Sequence, residues 1–196
     1  MARVFVVYHS GYGHTKAVAE AVAGGAGVSG VDVAIYDTEK AAGAIDEFDG
    51  ADAIIMGCPT YMGGPSTDFK KFADATSKKW LQRKWLNKLA AGFTNSGGLS
   101  GDKLSTLYYI YTFAMQHGMI WVGQSEVPPP VSDGRGPLPE HINRMSSFTG
   151  LMTQSDNAGT EITPPSGDIE TARIFGRRVA RAAQRWMSGQ PIGADL

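Results

Sequence analysis

The sequence predicts an α/β fold, a doubly wound five-stranded parallel sheet with helices on both faces. Two observations carry this. Short apolar runs rich in β-branched and aromatic residues alternate with amphipathic runs of helical period. The first apolar run, Val4-Phe5-Val6-Val7-Tyr8, is apolar throughout, as a strand covered on both faces must be. The length, 196 residues, suits one domain, 1–196, large enough to bury a sizeable core.

The elements follow in order. Val4 to Tyr8 is short, β-branched and aromatic, a buried first strand. Thr15 to Val28 is Ala-rich with Val18 and Val22 four apart, a helix that ends in Gly24, Gly25 and Gly27. Val31–Tyr36 is the second strand, Ala41–Phe48 a short helix and Ala51–Gly57 the third strand. Phe69, Phe72, Ala73, Thr76 and Trp80 step at helical spacing. Leu89–Thr94 is the fourth strand. Asp102 then caps a helix that sets Leu104, Leu107, Tyr108, Tyr111 and Met115 on one face and stops at Gly118. Met119–Val122 is the fifth strand. Residues 124–166 hold seven of the ten prolines and no clear period, so they are expected to form a long loop, either functional or partly mobile. From Asp168 a last helix buries Ile169, Ala172, Gly176, Val179, Ala183 and Trp186 and leaves five arginines on a solvated face.

Composition narrows the function. Hydrophobic residues make up 42% and charged ones 19%, an ordinary globular balance. A net charge of -1 argues against a general binder of nucleic acid or of membrane surfaces. One cysteine, Cys58, allows no intrachain disulfide and fits a reducing compartment. No signal peptide and no membrane-length apolar run is visible, so a cytoplasmic location is expected.

Sheets of this kind bind ligands at the carboxyl ends of their strands. The loops after the first, third and fourth strands are therefore expected to meet. The first, His9-Ser10-Gly11-Tyr12-Gly13-His14-Thr15, precedes a helix N-terminus, where free N–H groups and the dipole favour an anion. It carries hydroxyls but no P-loop lysine, and neither the G-x-x-x-x-G-K-[ST] nor the G-x-G-x-x-G pattern is present. A neutral phosphate cradle and a plain tight turn account for it equally well. The second, Cys58-Pro59-Thr60-Tyr61-Met62-Gly63-Gly64, is rigid and then loose, with faces for a flat heterocycle. No arginine follows Cys58 through Phe69, as a phosphatase loop would need, so Cys58 reads as a packing residue. The third, Thr94-Asn95-Ser96-Gly97-Gly98, offers amides and hydroxyls to a polar ring edge. The four histidines form no metal set. His117 sits in a last helical turn, where it is either a helix-end stabiliser or a donor to a developing anion.

Together these segments resemble the flavodoxin-like fold, and specifically the WrbA family of NAD(P)H:quinone oxidoreductases. The resemblance spans nearly the whole chain. It is carried by Val7 to Thr15, Gly57 to Gly64, Lys88 to Phe93 and Gln116-His117-Gly118-Met119, in order and at the right intervals. It implies a strand order 2-1-3-4-5 and tight, non-covalent FMN. By resemblance Ser10, Tyr12, Gly13, His14 and Thr15 hold the phosphate. Pro59, Thr60, Tyr61, Met62 and Gly63 line the isoalloxazine, and Thr94, Asn95, Ser96, Gly97 and Gly98 bond its polar edge. Trp80 helps to close the pocket, although its helical spacing also marks it as a core residue. His117 is the catalytic residue, beside the pyrimidine end of the ring.

The implied reaction is a two-electron ping-pong transfer, in which NADH or NADPH reduces FMN and a quinone then occupies the same place. The implied assembly is a homodimer or homotetramer, with loop 124–166 bordering a flavin pocket of its own or a neighbouring subunit. The chain departs from the family in a short connection, Asp37 to Gly50, and in Tyr61 where the pocket often holds Arg. A flavodoxin-type electron carrier and a reductase of free flavin or other acceptors remain as alternatives.

Overall fold

A computed structural model of the protein describes residues 1–131 and 134–189. Residues 132–133 of the long loop, and 190–196 of the expected single domain, lie outside the described residues. The chain runs β1 (Ala2–Tyr8), α1 (His14–Ala26), β2 (Val31–Asp37), α2 (Thr38–Gly43), a 3-10 turn (Ile45–Gly50), β3 (Ala53–Tyr61) and β4 (Gly64–Pro65). It continues through α3 (Thr67–Ala75), α4 (Ser77–Leu81), β5 (Leu89–Ser96), α5 (Lys103–Gln116), β6 (Ile120–Trp121), β7 (Leu151–Gln154) and α6 (Ser166–Met187).

The expected α/β class holds. The sheet runs β2-β1-β3-β5-β6 with parallel neighbours. Because side chains alternate across a strand, β1 sends Val4 and Val6 to one face and Phe5 and Val7 to the other. α1 and α6 cover the first face, with Val22, Phe175 and Val179 in its core. The second face packs Phe48, Phe69, Phe72, Trp85 and Ile110.

The fifth position departs from the expected single strand. β6 pairs with the start of β5, Leu89 opposite Ile120. β7 pairs with its end, from Phe93 opposite Leu151 to Ser96 opposite Gln154. The fifth strand is thus split, and the chain between its halves makes an excursion from the sheet edge. Glycines mark exit and return. A Cβ on Gly123 would meet the Phe148 carbonyl oxygen at 2.5 Å, and one on Gly150 the Gly92 carbonyl oxygen at 2.5 Å.

Two helical expectations are corrected. The expected helix through Trp80 breaks at Thr76, whose hydroxyl donates to the Ala73 carbonyl oxygen at 2.7 Å. Trp80 is therefore 52% exposed, and Trp85 takes the core place. α5 buries Lys103, Thr106, Leu107, Ile110, Phe113 and Ala114, while Leu104, Tyr108 and Tyr111 face outward. Asp102 precedes α5 in a left-handed conformation and makes no side-chain cap.

α1 and α6 touch backbone to backbone. A Cβ on Gly25 would collide with the Arg173 carbonyl oxygen, and one on Gly176 with that of Val22. Gly176→Val must push the two helices apart. Overpacking of this kind costs about 1–3 kcal/mol or more. We expect a lower urea midpoint with an unchanged slope, and an unshifted midpoint would show that the contact yields freely.

Candidate functional site

The three loops do meet. A cleft of about 490 Å³ at the carboxyl edge of the sheet is lined from the first by Ser10, Tyr12, His14 and Thr15. Pro59, Thr60 and Tyr61 come from the end of β3, and Asn95, Ser96 and Gly97 from the end of β5. The register explains the second and third groups, since Cys58 pairs with Thr94 and Pro59 with Asn95.

At the first loop, Gly13 precedes α1 with φ +93, a left-handed conformation that glycine takes without a Cβ penalty. Ser10 Oγ accepts from the Gly13 N–H at 3.1 Å. No side chain caps α1 and no acid stands in its first turn, so its leading amides and dipole are open to an anion. Tyr61 and Tyr12 form an aromatic wall, edge to face at 6.5 Å. The Gly11 amide donates to the Tyr61 hydroxyl, and burial, the largest influence, raises its pKa. Gly13, Met62, Gly63, Thr94 and Gly98 shape this cleft without lining it. Met62 and Gly63 turn the β3–β4 hairpin with φ of 49° and 79°, and Ser105 Oγ donates to the Gly63 carbonyl oxygen. Thr94 is buried below the floor, where Thr60 Oγ1 lies 2.8 Å from both Thr94 Oγ1 and Thr106 Oγ1.

A fourth segment, Ser155 to Ala158 after β7, completes the lining. His14 Nε2 donates to the Ala158 carbonyl oxygen at 2.7 Å and so ties the first loop to it. Asn95 Oδ1 accepts from Thr153 Oγ1 at 2.8 Å and from Ser155 Oγ at 3.0 Å. What Asn95 then offers a ligand is the donor side of its amide. The signal for this segment was Ser155-Asp156-Asn157-Ala158-Gly159, a turn-rich run after the apolar Leu151-Met152. Loop 124–166 thus borders the cleft of its own chain.

Trp80 and His117 are not brought here. They line a separate cleft of about 320 Å³ with Lys70, Asp74, Tyr109 and Gln116. His117 follows the last residue of α5, whose first turn stands beside the end of β5, so about 20 Å of helix separates them. Its ring stacks on Trp85 at 4.5 Å, Nε2 lies 3.0 Å from Thr76 Oγ1, and Nδ1 is buried with no partner. Burial pulls its pKa down to about 4.

The other candidates resolve simply. Cys58 is buried and its thiol is pushed up to about 12, which removes it as a nucleophile. His9 lies 2.8 Å from Ser66 Oγ and 3.3 Å from Asp68. Among the described residues no group of His, Cys, Asp or Glu can hold a metal ion, and no helix is long and apolar enough to cross a membrane.

A parallel sheet with an open helix N-terminus and aromatic side chains at its carboxyl edge defines an α/β protein whose cleft can take an anionic ligand with a flat ring. The chain belongs to the flavodoxin family, whose profile, described as flavodoxin, matches residues 6–107. It is 44% identical to flavodoxin FldP of Pseudomonas aeruginosa over 94% of this chain and 98% of that one. It is 31% identical to an NAD(P)H dehydrogenase (quinone) of Archaeoglobus fulgidus over 94% and 99%. The crystal structure of the flavodoxin, WrbA-like protein from Agrobacterium tumefaciens superimposes with a TM-score of 0.71 at 43% identity, covering 94% and 99%. The family to which the chain belongs therefore includes proteins named both as flavodoxins and as quinone dehydrogenases.

The His117 ring makes a pH prediction. It stays neutral in the fold down to about 4 and takes a proton near 6.5 when unfolded. Between those values the unfolded chain binds the extra proton, so stability falls as pH drops through that window, by up to about 1.4 kcal/mol per pH unit. His117→Phe keeps the stack on Trp85 and should flatten this part of the stability–pH curve. A curve of unchanged shape would mean that the ring titrates freely in the fold.

Proposed function

We propose that the protein is an FMN-dependent NAD(P)H:quinone oxidoreductase. The observation that carries the proposal is the three-loop cleft, with an uncapped helix N-terminus and the Tyr12–Tyr61 wall beside it. The donor set fits FMN. The α1 amides, Ser10 and Thr15 suit a phosphate dianion, with no carboxylate in the first turn of α1 to oppose it. Pro59, Thr60 and Tyr61 suit the ring, and Asn95, Ser96 and Gly97 its polar edge. The cofactor supplies the two-electron chemistry, and the chain binds it, orients it and leaves one side open to a second flat molecule.

A nicotinamide nucleotide, NADH or NADPH, and a quinone are the small-molecule partners on this reading. Relatives named NAD(P)H dehydrogenase (quinone), at 31% and 28% identity, support it. The 44% relative named a flavodoxin supports the rival reading, an electron carrier. Carriers dock basic partners through strongly acidic surfaces, whereas this chain has a net charge of -1.

The assembly we propose is a homodimer or homotetramer. Leu104, Tyr108 and Tyr111 leave an apolar stripe on α5 for a second copy. Trp80 and His117, a helix length from the cleft of their own chain, then serve the flavin of that copy. A cytoplasmic location fits the single, buried cysteine.

The deciding experiment is the visible spectrum of the purified protein with FMN, followed by anaerobic NADH or NADPH and then benzoquinone. Bleaching by the nucleotide and recovery with the quinone is the expected result. Bound flavin that ignores both nucleotides makes the protein a carrier. The mass of the same sample reports the assembly.

Ser10→Asp sets a carboxylate against the phosphate and removes a donor to a charged group. Affinity for FMN should fall about tenfold or more. Undiminished retention of FMN by this variant would place the phosphate elsewhere.

A further inference from the structure

One buried charge has no part in the function so far. Lys103 opens α5 and is fully buried. Its ammonium donates to Ser96 Oγ at 2.8 Å and to the Gly98 carbonyl oxygen. Both oxygens belong to the segment 96–101, and Ser96 and Gly97 of that segment line the three-loop cleft. The segment is wound closely, since a Cβ on Gly101 would collide with Ser96 Oγ.

Among the described residues no carboxylate pairs with Lys103. The nearest buried acid, Asp168, is already held. It accepts from Arg144 Nε at 2.8 Å, from Arg144 Nη2 at 3.1 Å and from the Gln154 N–H at 2.8 Å. Two buried cations therefore share one buried anion here. A fully buried ammonium bonded only to a hydroxyl and a carbonyl is costly to keep. Desolvation pulls its pKa down to about 8, with Asp168 opposing and Arg144 assisting. Methionine or leucine would fill the same volume without that cost.

We propose that Lys103 is a positioning residue for the flavin ring: it fixes the 96–101 segment in its cleft-lining shape and sets behind it a positive charge that no carboxylate directly pairs. The inference rests on the FMN reading above. Reduction leaves negative charge on the pyrimidine edge of a flavin, while the oxidised ring is neutral. A fixed cation behind the segment that meets that edge favours the reduced form and raises the midpoint potential.

The test compares wild type, Lys103→Met and Lys103→Arg, each loaded with FMN. Two quantities are read: the dissociation constant of oxidised FMN, and the two-electron midpoint potential against a reference dye. Lys103→Met should lower the affinity for reduced relative to oxidised FMN about tenfold or more, a midpoint about 30 mV more negative. Lys103→Arg, which keeps the charge, should stay near wild type. If methionine prevents folding, Lys103→Gln keeps a donor for Ser96 and Gly98 without the charge and is read in the same way. A residue that only holds the loop would weaken both redox forms alike, so weaker FMN binding with an unmoved midpoint overturns the inference. A shift in Lys103→Arg equal to that in Lys103→Met does the same. Wild type that binds no FMN overturns the flavin reading itself and this inference with it.

Discussion

The buried hydroxyl chain under the cleft is the constraint on which the site depends. Thr60 touches Thr94 and Thr106, and Thr94 donates to the Cys58 carbonyl oxygen at 2.7 Å. These contacts tie the ends of β3 and β5 to the first turn of α5. Asn95, Thr153 and Ser155 extend the tie to β7 and the segment after it. Each hydroxyl is buried, so each must find a partner, and losing one strands another. The loops above are thereby set relative to one another by bonds beneath them. A ligand meets a cleft whose walls are already in place.

The other fixed point is the backbone contact between α1 and α6. Gly25 and Gly176 let the two helices close on each other over β1. Nothing larger fits at either position, so the line of α1 is set by packing rather than by its own propensity. Its first turn then stands at the carboxyl end of β1, where His14 reaches Ala158. The N-terminal turn of α1 is thus oriented by a glycine contact about three turns further along the helix.

Strands one, three and four were legible because each holds a near-continuous apolar run, and strand two because β-branched and aromatic residues dominate it. The split fifth strand was not. Its second half, Leu151–Gln154, is four residues long and alternates buried with half-buried positions. It sits in a stretch rich in proline and glycine that hides a two-residue period. α5 was read with the wrong face because its buried side includes Lys103 and Thr106, polar residues serving the cleft and the segment beside it. Local pattern fails where a site overrides it. Trp80 was misplaced for a different reason: helical spacing ran through Thr76, where the chain breaks and exchanges one tryptophan for another. The meeting of the three loops was legible, since a parallel sheet brings the loops at its carboxyl edge together, although their Gly, Ser, Thr and Asn content suits a plain turn as well. The fourth segment was not, because its strand was not seen.

The two ends of the cleft divide the work on the FMN reading. The α1 amides, Ser10 and Thr15 face a phosphate whose charge is the same in either redox state of the ring. Whatever they contribute is uniform binding, which sets affinity and leaves the difference between the two states untouched. Only groups near the ring can set that difference. On this chain those are Tyr61, the Asn95 amide, Asp156 and the 96–101 segment with Lys103 behind it. Lys103 brings a buried positive charge, and Asp156 a carboxylate that lines the cleft. On that reading the balance between Lys103 and Asp156, and not the phosphate end, sets how far the reduced ring is favoured over the oxidised one.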